Sequence, residues 1–250
     1  MSGKGGVGKS AVTVNLALAL ADRGYRVGIL DVDMHGPSVP GLLGLKTRLT
    51  ARDEKILNPV FYNNSIAVVS IDFFLENRDM AIIWRGPKKT AAISQFLASV
   101  NWGKLDYLLI DSPPGTGDEH LAVLKAVPDA KCVMVTTSQE ISLADVRKAL
   151  SFLERVNASL FGLIENMSGF ACPHCGGAID IFSAGKGELL ARDRNIPFLG
   201  RIPLDVAMPA AAERQVPLMA LPGMYPAKEA FLQIAEKVVT GLPLRAMNLR

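Results

Sequence analysis

The run Gly3-Lys4-Gly5-Gly6-Val7-Gly8-Lys9-Ser10 constrains this chain more than any other stretch of it. It fits G-x-x-x-x-G-K-[ST], and the apolar segment KSAVTVNLALALADR at 9–23 has the pattern of a helix, with Gly24 as its stop. A glycine-rich turn that opens a helix brings backbone N–H groups close to phosphate oxygens, and the helix adds its positive dipole end. Gly5, Gly6, Val7 and Gly8 are then the cradle. Lys9 reaches the β- and γ-phosphates, and the Ser10 hydroxyl is the expected ligand of Mg²⁺. ATP or ADP with Mg²⁺ is the expected ligand of this phosphate-binding loop (P-loop). The alternative of a flexible glycine-rich tail does not account for the full motif with an apolar helix behind it.

A P-loop normally leaves the end of a buried strand. Only Met1 and Ser2 precede this one, so the expectation is a weakened sheet centre unless something else fills the slot. Further along, Tyr25 to Leu30, 65–71, 105–110, 130–136 and 159–164 read as strands. Helices are expected near 88–100, 118–126, 141–156, 185–194 and 227–239. This alternation predicts an α/β fold: a mostly parallel twisted sheet with helices on both faces, plus a small C-x-x-C loop. The length suits a single domain over 1–250, with a cysteine-bearing insertion at about 167–184. With 27 basic and 24 acidic residues, the net charge of +3 is too small to argue for nucleic acid or a membrane surface as partner. No apolar run approaches a membrane span and the N-terminus lacks the pattern of a secretory signal, so the expected location is cytoplasmic.

Two acidic strand ends complete the expected nucleotide site. Asp31-Val32-Asp33 closes one strand and runs into His35-Gly36-Pro37-Ser38. A carboxylate there lies where α/β folds bind ligands. Asp33 is the candidate for orienting or deprotonating the attacking water, and Asp31 is either structural or a support to the site. Leu108-Leu109-Ile110 leads to Asp111, an apolar strand ending in the carboxylate that would hold Mg²⁺ through water. The turn Pro113-Pro114-Gly115 that follows is restrained and its amides are placed to sense a γ-phosphate. Asn166, after the strand 159–164, reads equally as an adenine-binding amide and as a turn asparagine.

Cys172-Pro173-His174-Cys175-Gly176-Gly177 puts two thiols at C-x-x-C spacing on a Gly/Pro-rich loop, aimed at one metal. Cys132 falls in an apolar strand and reads as an inert core residue. A tetrahedral zinc or a [4Fe–4S] cluster wants four ligands, and a two-fold homodimer would bring two pairs together.

The loop's second lysine, Lys4, gives the form K-G-G-x-G-K-[ST], which resembles the deviant P-loop of the MinD, ParA and ArsA ATPases. The resemblance implies that Lys4 reaches the partner subunit's nucleotide and stabilises charge there, and that Asp33 acts on the attacking water. More specifically, the chain resembles the Mrp-type iron–sulfur cluster carrier ATPases through SGKGGVGKS at 2–10, DVDMHGPSVP at 31–40, WRGP at 84–87, DSPPGTGDEHL at 111–121, ENMSGFACPHCG at 165–176 and GKGE at 185–188. This implies a slow ATPase that assembles a cluster and passes it to apo-proteins. It implies a cluster shared across the dimer by Cys172 and Cys175, and adenine contact by Asn166. The chain departs from the pattern in the missing first strand and in Ala11, which stands where a second hydroxyl residue is usual; His35 occupies a variable position. Trp84 and Arg85 read either as a dimer or target surface or as a helix-start packing motif. A MinD- or ParA-like positioning protein is the alternative reading. It would want a basic amphipathic C-terminus, whereas 242–250 carries only Arg245 and Arg250. A dimer clasped by structural zinc uses the same cysteines and stays open.

Overall fold

The computed structural model describes residues 1–47, 57–75, 84–172, 175, 177–179, 181 and 184–244. Parts of the expected insertion at 167–184, and residues 245–250 of the C-terminal stretch, lie outside them. The apolar run behind the glycine-rich loop forms α1 (Lys9–Ala21), and Gly24, at φ 86°, makes the left-handed turn after it. The chain continues through β1 (Val27–Asp31), α2 (Val39–Leu42), β2 (Val60–Tyr62), β3 (Ile66–Ser70), a 3-10 turn (Ile71–Phe74), α3 (Gly86–Ser99) and β4 (Tyr107–Asp111). Then come α4 (Asp118–Ala126), β5 (Lys131–Thr136), α5 (Glu140–Arg155), β6 (Ser159–Glu165) and the two-residue strands β7 (Phe170–Ala171) and β8 (Ala178–Ile179). The last elements are α6 (Lys186–Asp193), β9 (Phe198–Arg201), α7 (Ala207–Glu213), a second 3-10 turn (Leu218–Ala220) and α8 (Pro226–Gly241).

The strands form two main sheets, ordered β2-β3-β1-β4 and β5-β6-β9, with β7 and β8 as a small hairpin. Every pairing in the main sheets is parallel except β2 with β3. Among the described residues no strand stands between β4 and β5. That slot is bridged at one end only: the Met1 ammonium donates to Val133 O at 2.8 Å, Val135 N to Met1 O at 2.9 Å, and Gly115 N to Ser2 O at 2.9 Å. The core nevertheless runs across the gap. Ile29 and Val68 of one sheet, and Val135 and Ile164 of the other, belong to one apolar cluster with α1 and α8. On the opposite face, Leu30, Val69 and Ile110 pack with α3 and α4. Met134 and Leu163 pack there with α5 and Leu190 of α6. Period-two alternation along each strand sends successive side chains to these two layers.

Parallel pairing puts the strand ends on one edge. Asp31 stands beside Asp111 in register, and Thr136 beside Glu165. Asp111 and Thr136 lie on either side of the loop that opens α1. Among the described residues no helix is long and apolar enough to cross a membrane.

Candidate nucleotide and thiol sites

The loop 3–8 takes its shape from two glycines at φ 81°, Gly6 and Gly8. Gly8 also has no room for a side chain, because a β-carbon there would lie 2.3 Å from Asn166 Nδ2. Lys9, almost fully buried, donates to Asp111 Oδ1 at 2.7 Å and lies 3.3 Å from Ser10 Oγ. The Thr13 hydroxyl stands 3.1 Å from Lys9 O and 3.2 Å from Asp111 Oδ1, and its single hydrogen serves one of them at a time. Asp111 Oδ2 is buried with no hydrogen-bond partner. A buried carboxylate oxygen left without a donor is costly, and the other oxygen of the same carboxylate shares Lys9 Nζ with the Ser10 hydroxyl.

Asp31 is fully buried. It accepts from Asp33 N at 3.1 Å, Val39 N at 3.3 Å and the Ser70 hydroxyl at 3.3 Å. Burial, and after it the charge of Asp111 alongside, push its carboxyl well above the usual range. Between the two roles left open for it, these contacts favour support: its acceptors are spent on the turn that carries Asp33. Asp33 Oδ1 in turn accepts from His35 N at 3.3 Å and Gly36 N at 3.1 Å. Asp111, with its unpartnered Oδ2, and Ser10 make an oxygen donor pair that fits a hard dication.

A cleft of about 120 Å³ opens beside the loop, lined by Lys4, Gly5, Gly6, Val7, Thr137, Gln139, Ser142 and Met167. Lys4 is exposed at its mouth. Asn166 is buried at the end of β6 and donates from Nδ2 to Val7 O at 2.9 Å. The structure thus gathers Gly5, Gly6, Val7, Gly8, Lys9, Ser10, Asp111 and Asn166 in one place. Cys172 and Cys175 lie on the β7–β8 hairpin a few residues beyond Asn166, the first half-buried and the second exposed. Among the described residues no three His, Cys, Asp or Glu side chains are gathered for a metal. Cys132 is buried in β5, and burial pushes its thiol up, as suits a core residue.

A family model described as ParA: NUBPL iron-transfer P-loop NTPase matches residues 1–239. The chain belongs to this family. It is 48% identical over 240 residues to an iron-sulfur cluster carrier protein of Methanococcus maripaludis, spanning 96% of this chain and 82% of that one. It is 46% identical over 248 residues to the cytosolic Fe-S cluster assembly factor NUBP2 of Bos taurus, spanning 97% and 92%. Among solved structures, a nucleotide-binding protein of Archaeoglobus fulgidus in complex with ADP matches with TM-score 0.74 and 42% identity, over 86% of this chain and 84% of that one. The cell division ATPase MinD of Pyrococcus furiosus shares the fold at 22% identity and TM-score 0.71, over 96% of both chains.

In this NUBPL-type chain several residues at the site escape sequence reasoning. Thr13 is one helical turn from Lys9, the spacing that puts both on one face, and that spacing was the available signal. Lys89 of α3 donates to Glu119 Oε1 of α4 at 2.8 Å and lies 2.6 Å from His35 Nε2, so it joins the 33–38 loop to the helix after Asp111. Burial alone would raise the Glu119 carboxyl, but the hydrogen bond and charge of Lys89 outweigh it and hold the group below the usual range. Trp84 packs on the α3–α4 core layer, and a β-carbon at Gly86 would lie 2.6 Å from Asp118 Oδ2. WRGP therefore includes a helix-start packing role.

Proposed function

We propose that this chain is an ATP-binding, slowly hydrolysing iron–sulfur cluster carrier. It works as a homodimer in the cytoplasm, assembles a [4Fe–4S] cluster between two Cys172–Cys175 pairs and passes it to apo-proteins. Family membership and the carrier names of the relatives support this reading. The single observation that carries it is the pairing, within four residues of Asn166, of a P-loop contact and the root of a hairpin that presents two thiols.

At the nucleotide, Ser10 Oγ and the unpartnered Asp111 Oδ2 would hold Mg²⁺, which when bound neutralises charge on the β- and γ-phosphates. Lys9 exchanges its bond with Asp111 for the phosphates. Asp33 leaves its turn with His35 and Gly36 to orient the attacking water. Lys4 of one subunit stabilises charge developing at the other subunit's nucleotide. Asn166 keeps Val7 with its amide nitrogen and offers its carbonyl side to adenine. The cluster is cargo: two thiolates per subunit supply its four ligands.

Anaerobic reconstitution of the full chain with iron and sulfide tests the reading. The expected product is a brown dimer with four irons, lost in Cys172→Ala, that transfers its cluster to an apo-protein in an ATP-dependent way. Tight zinc that resists exchange in place of iron overturns it in favour of a structural clasp.

A further inference from the structure

Two consecutive residues at the end of β6 reach in opposite directions. Asn166 donates to the P-loop carbonyl of Val7. Glu165, with no exposed surface, accepts from the Ser168 hydroxyl, from Gly185 N at 2.8 Å and from Gly187 N. Ser168 opens the segment that carries Cys172 and Cys175, and Gly185 closes it. One carboxylate therefore holds both ends of the thiol-bearing loop. Its charge sits against the first N–H groups of α6, which lack partners within the helix and favour an anion. Space is fitted to it: a β-carbon at Gly187 would lie 2.7 Å from Glu165 Oε2. Main-chain ties of the hairpin include Ser168 N to Ile202 O at 2.9 Å, Leu204 N to Gly169 O at 2.8 Å and Cys172 N to Gly177 O at 2.9 Å.

We propose that Glu165 is a positioning residue through which the state of the P-loop sets the placement of Cys172 and Cys175 within a single subunit. A phosphate entering the cradle changes what the Val7 peptide faces. Asn166 feels that change directly, and one peptide unit joins it to Glu165. Ile202 N donates to Glu165 O and Asn166 N donates to Thr136 O, so the strand end moves as a unit. A shift of Glu165 pulls on residues 168 and 185 together, not on one end of the loop alone. Coupling of this kind is reciprocal: what the thiols hold alters nucleotide affinity by the same factor. The inference rests on the proposed carrier reading for the identity of the cargo, but its geometry concerns the thiols themselves.

The test measures iodoacetamide alkylation of Cys175 in the metal-free full chain, with and without saturating Mg²⁺ and a non-hydrolysable ATP analogue. Buried Cys132 serves as the internal control. In the unaltered chain, nucleotide is expected to change the Cys175 rate by about five-fold or more, the lower end of usual coupling. In Glu165→Gln, which keeps the shape but turns one acceptor into a donor facing N–H groups, the ratio should fall below about two-fold. Ser168→Ala keeps the charge, removes one donor at the near end and should give an intermediate ratio. If Glu165→Gln does not fold, Ser168→Ala decides: a reduced ratio supports the proposal and an undiminished one overturns it. No nucleotide response in the unaltered chain, or a full response in both variants, also overturns it. Failure of iron–sulfur reconstitution with the alkylation response intact removes the carrier reading alone.

Discussion

At the residue scale, two buried polar groups make opposite demands. Asp111 Oδ2 is buried without a donor, which suits it to the proposed Mg²⁺ site with Ser10. Ser10→Ala is expected to weaken ATP affinity about ten- to a hundred-fold in the presence of Mg²⁺, the worth of one contact to a charged group. Affinity without Mg²⁺ should change by less than about two-fold, and titration calorimetry in both buffers checks the difference. His120 is the second group. It is buried in α4 with neither ring nitrogen hydrogen-bonded, and its ring meets Phe152 edge-on at 6.3 Å. Burial first, then the positive charges of the Met1 ammonium and Lys9, hold its pKa at about 4, with Glu119 opposing. The unfolded chain takes up a proton as the pH falls through about 6.5, whereas the folded chain does so only near 4. His120 therefore contributes full stability above pH 6.5 and loses on the order of 2–3 kcal/mol as the pH falls toward 4. His120→Phe should flatten that part of the curve of urea midpoint against pH; an unchanged slope would assign the effect elsewhere.

At the element scale, α3 and α4 are joined by the pair Lys89–Glu119, with side-chain exposures of 13% and 7%. Truncating one partner leaves the other charge poorly solvated, so Lys89→Met should cost roughly 1–3 kcal/mol. The double variant Lys89→Met with Glu119→Gln should recover part of that loss, giving a non-additive cycle in thermal or urea unfolding. Additive costs would mean that the two side chains do not depend on each other. The same helices show why WRGP resisted interpretation from sequence. Trp84 and Gly86 act on α4 and the neighbouring core layer, more than thirty positions ahead in the chain.

At the scale of the whole molecule, the layers are continuous while the hydrogen-bonded sheet is not. Apolar packing by α1 and α8 spans the slot between β4 and β5, whereas among the described residues backbone pairing across it comes from Met1 and Ser2. A strand of about ten residues joined ahead of Met1 would pair with both neighbours and merge the two sheets. The unfolding midpoint of such an extended chain should exceed that of this chain. Equal stability would show that side-chain packing suffices without the missing ladder.

The features legible from residues alone are those set over short spans. The glycine pattern of 3–10 dictates positive φ at Gly6 and Gly8, and the apolar runs dictate α1 and five of the strands to within two residues. The C-x-x-C spacing places Cys172 and Cys175 together on one short loop. Short strands such as β2 and β9 carry too few residues for their periodicity to speak. Other features depend on partners remote in the chain: Asn166 meets Val7 across 159 positions, Lys89 meets both His35 and Glu119, and Glu165 meets Gly185 and Gly187. No local propensity encodes such contacts. They exist because parallel strands ending on one edge bring distant loops within hydrogen-bonding distance, and burial there makes every unpaired donor or acceptor costly.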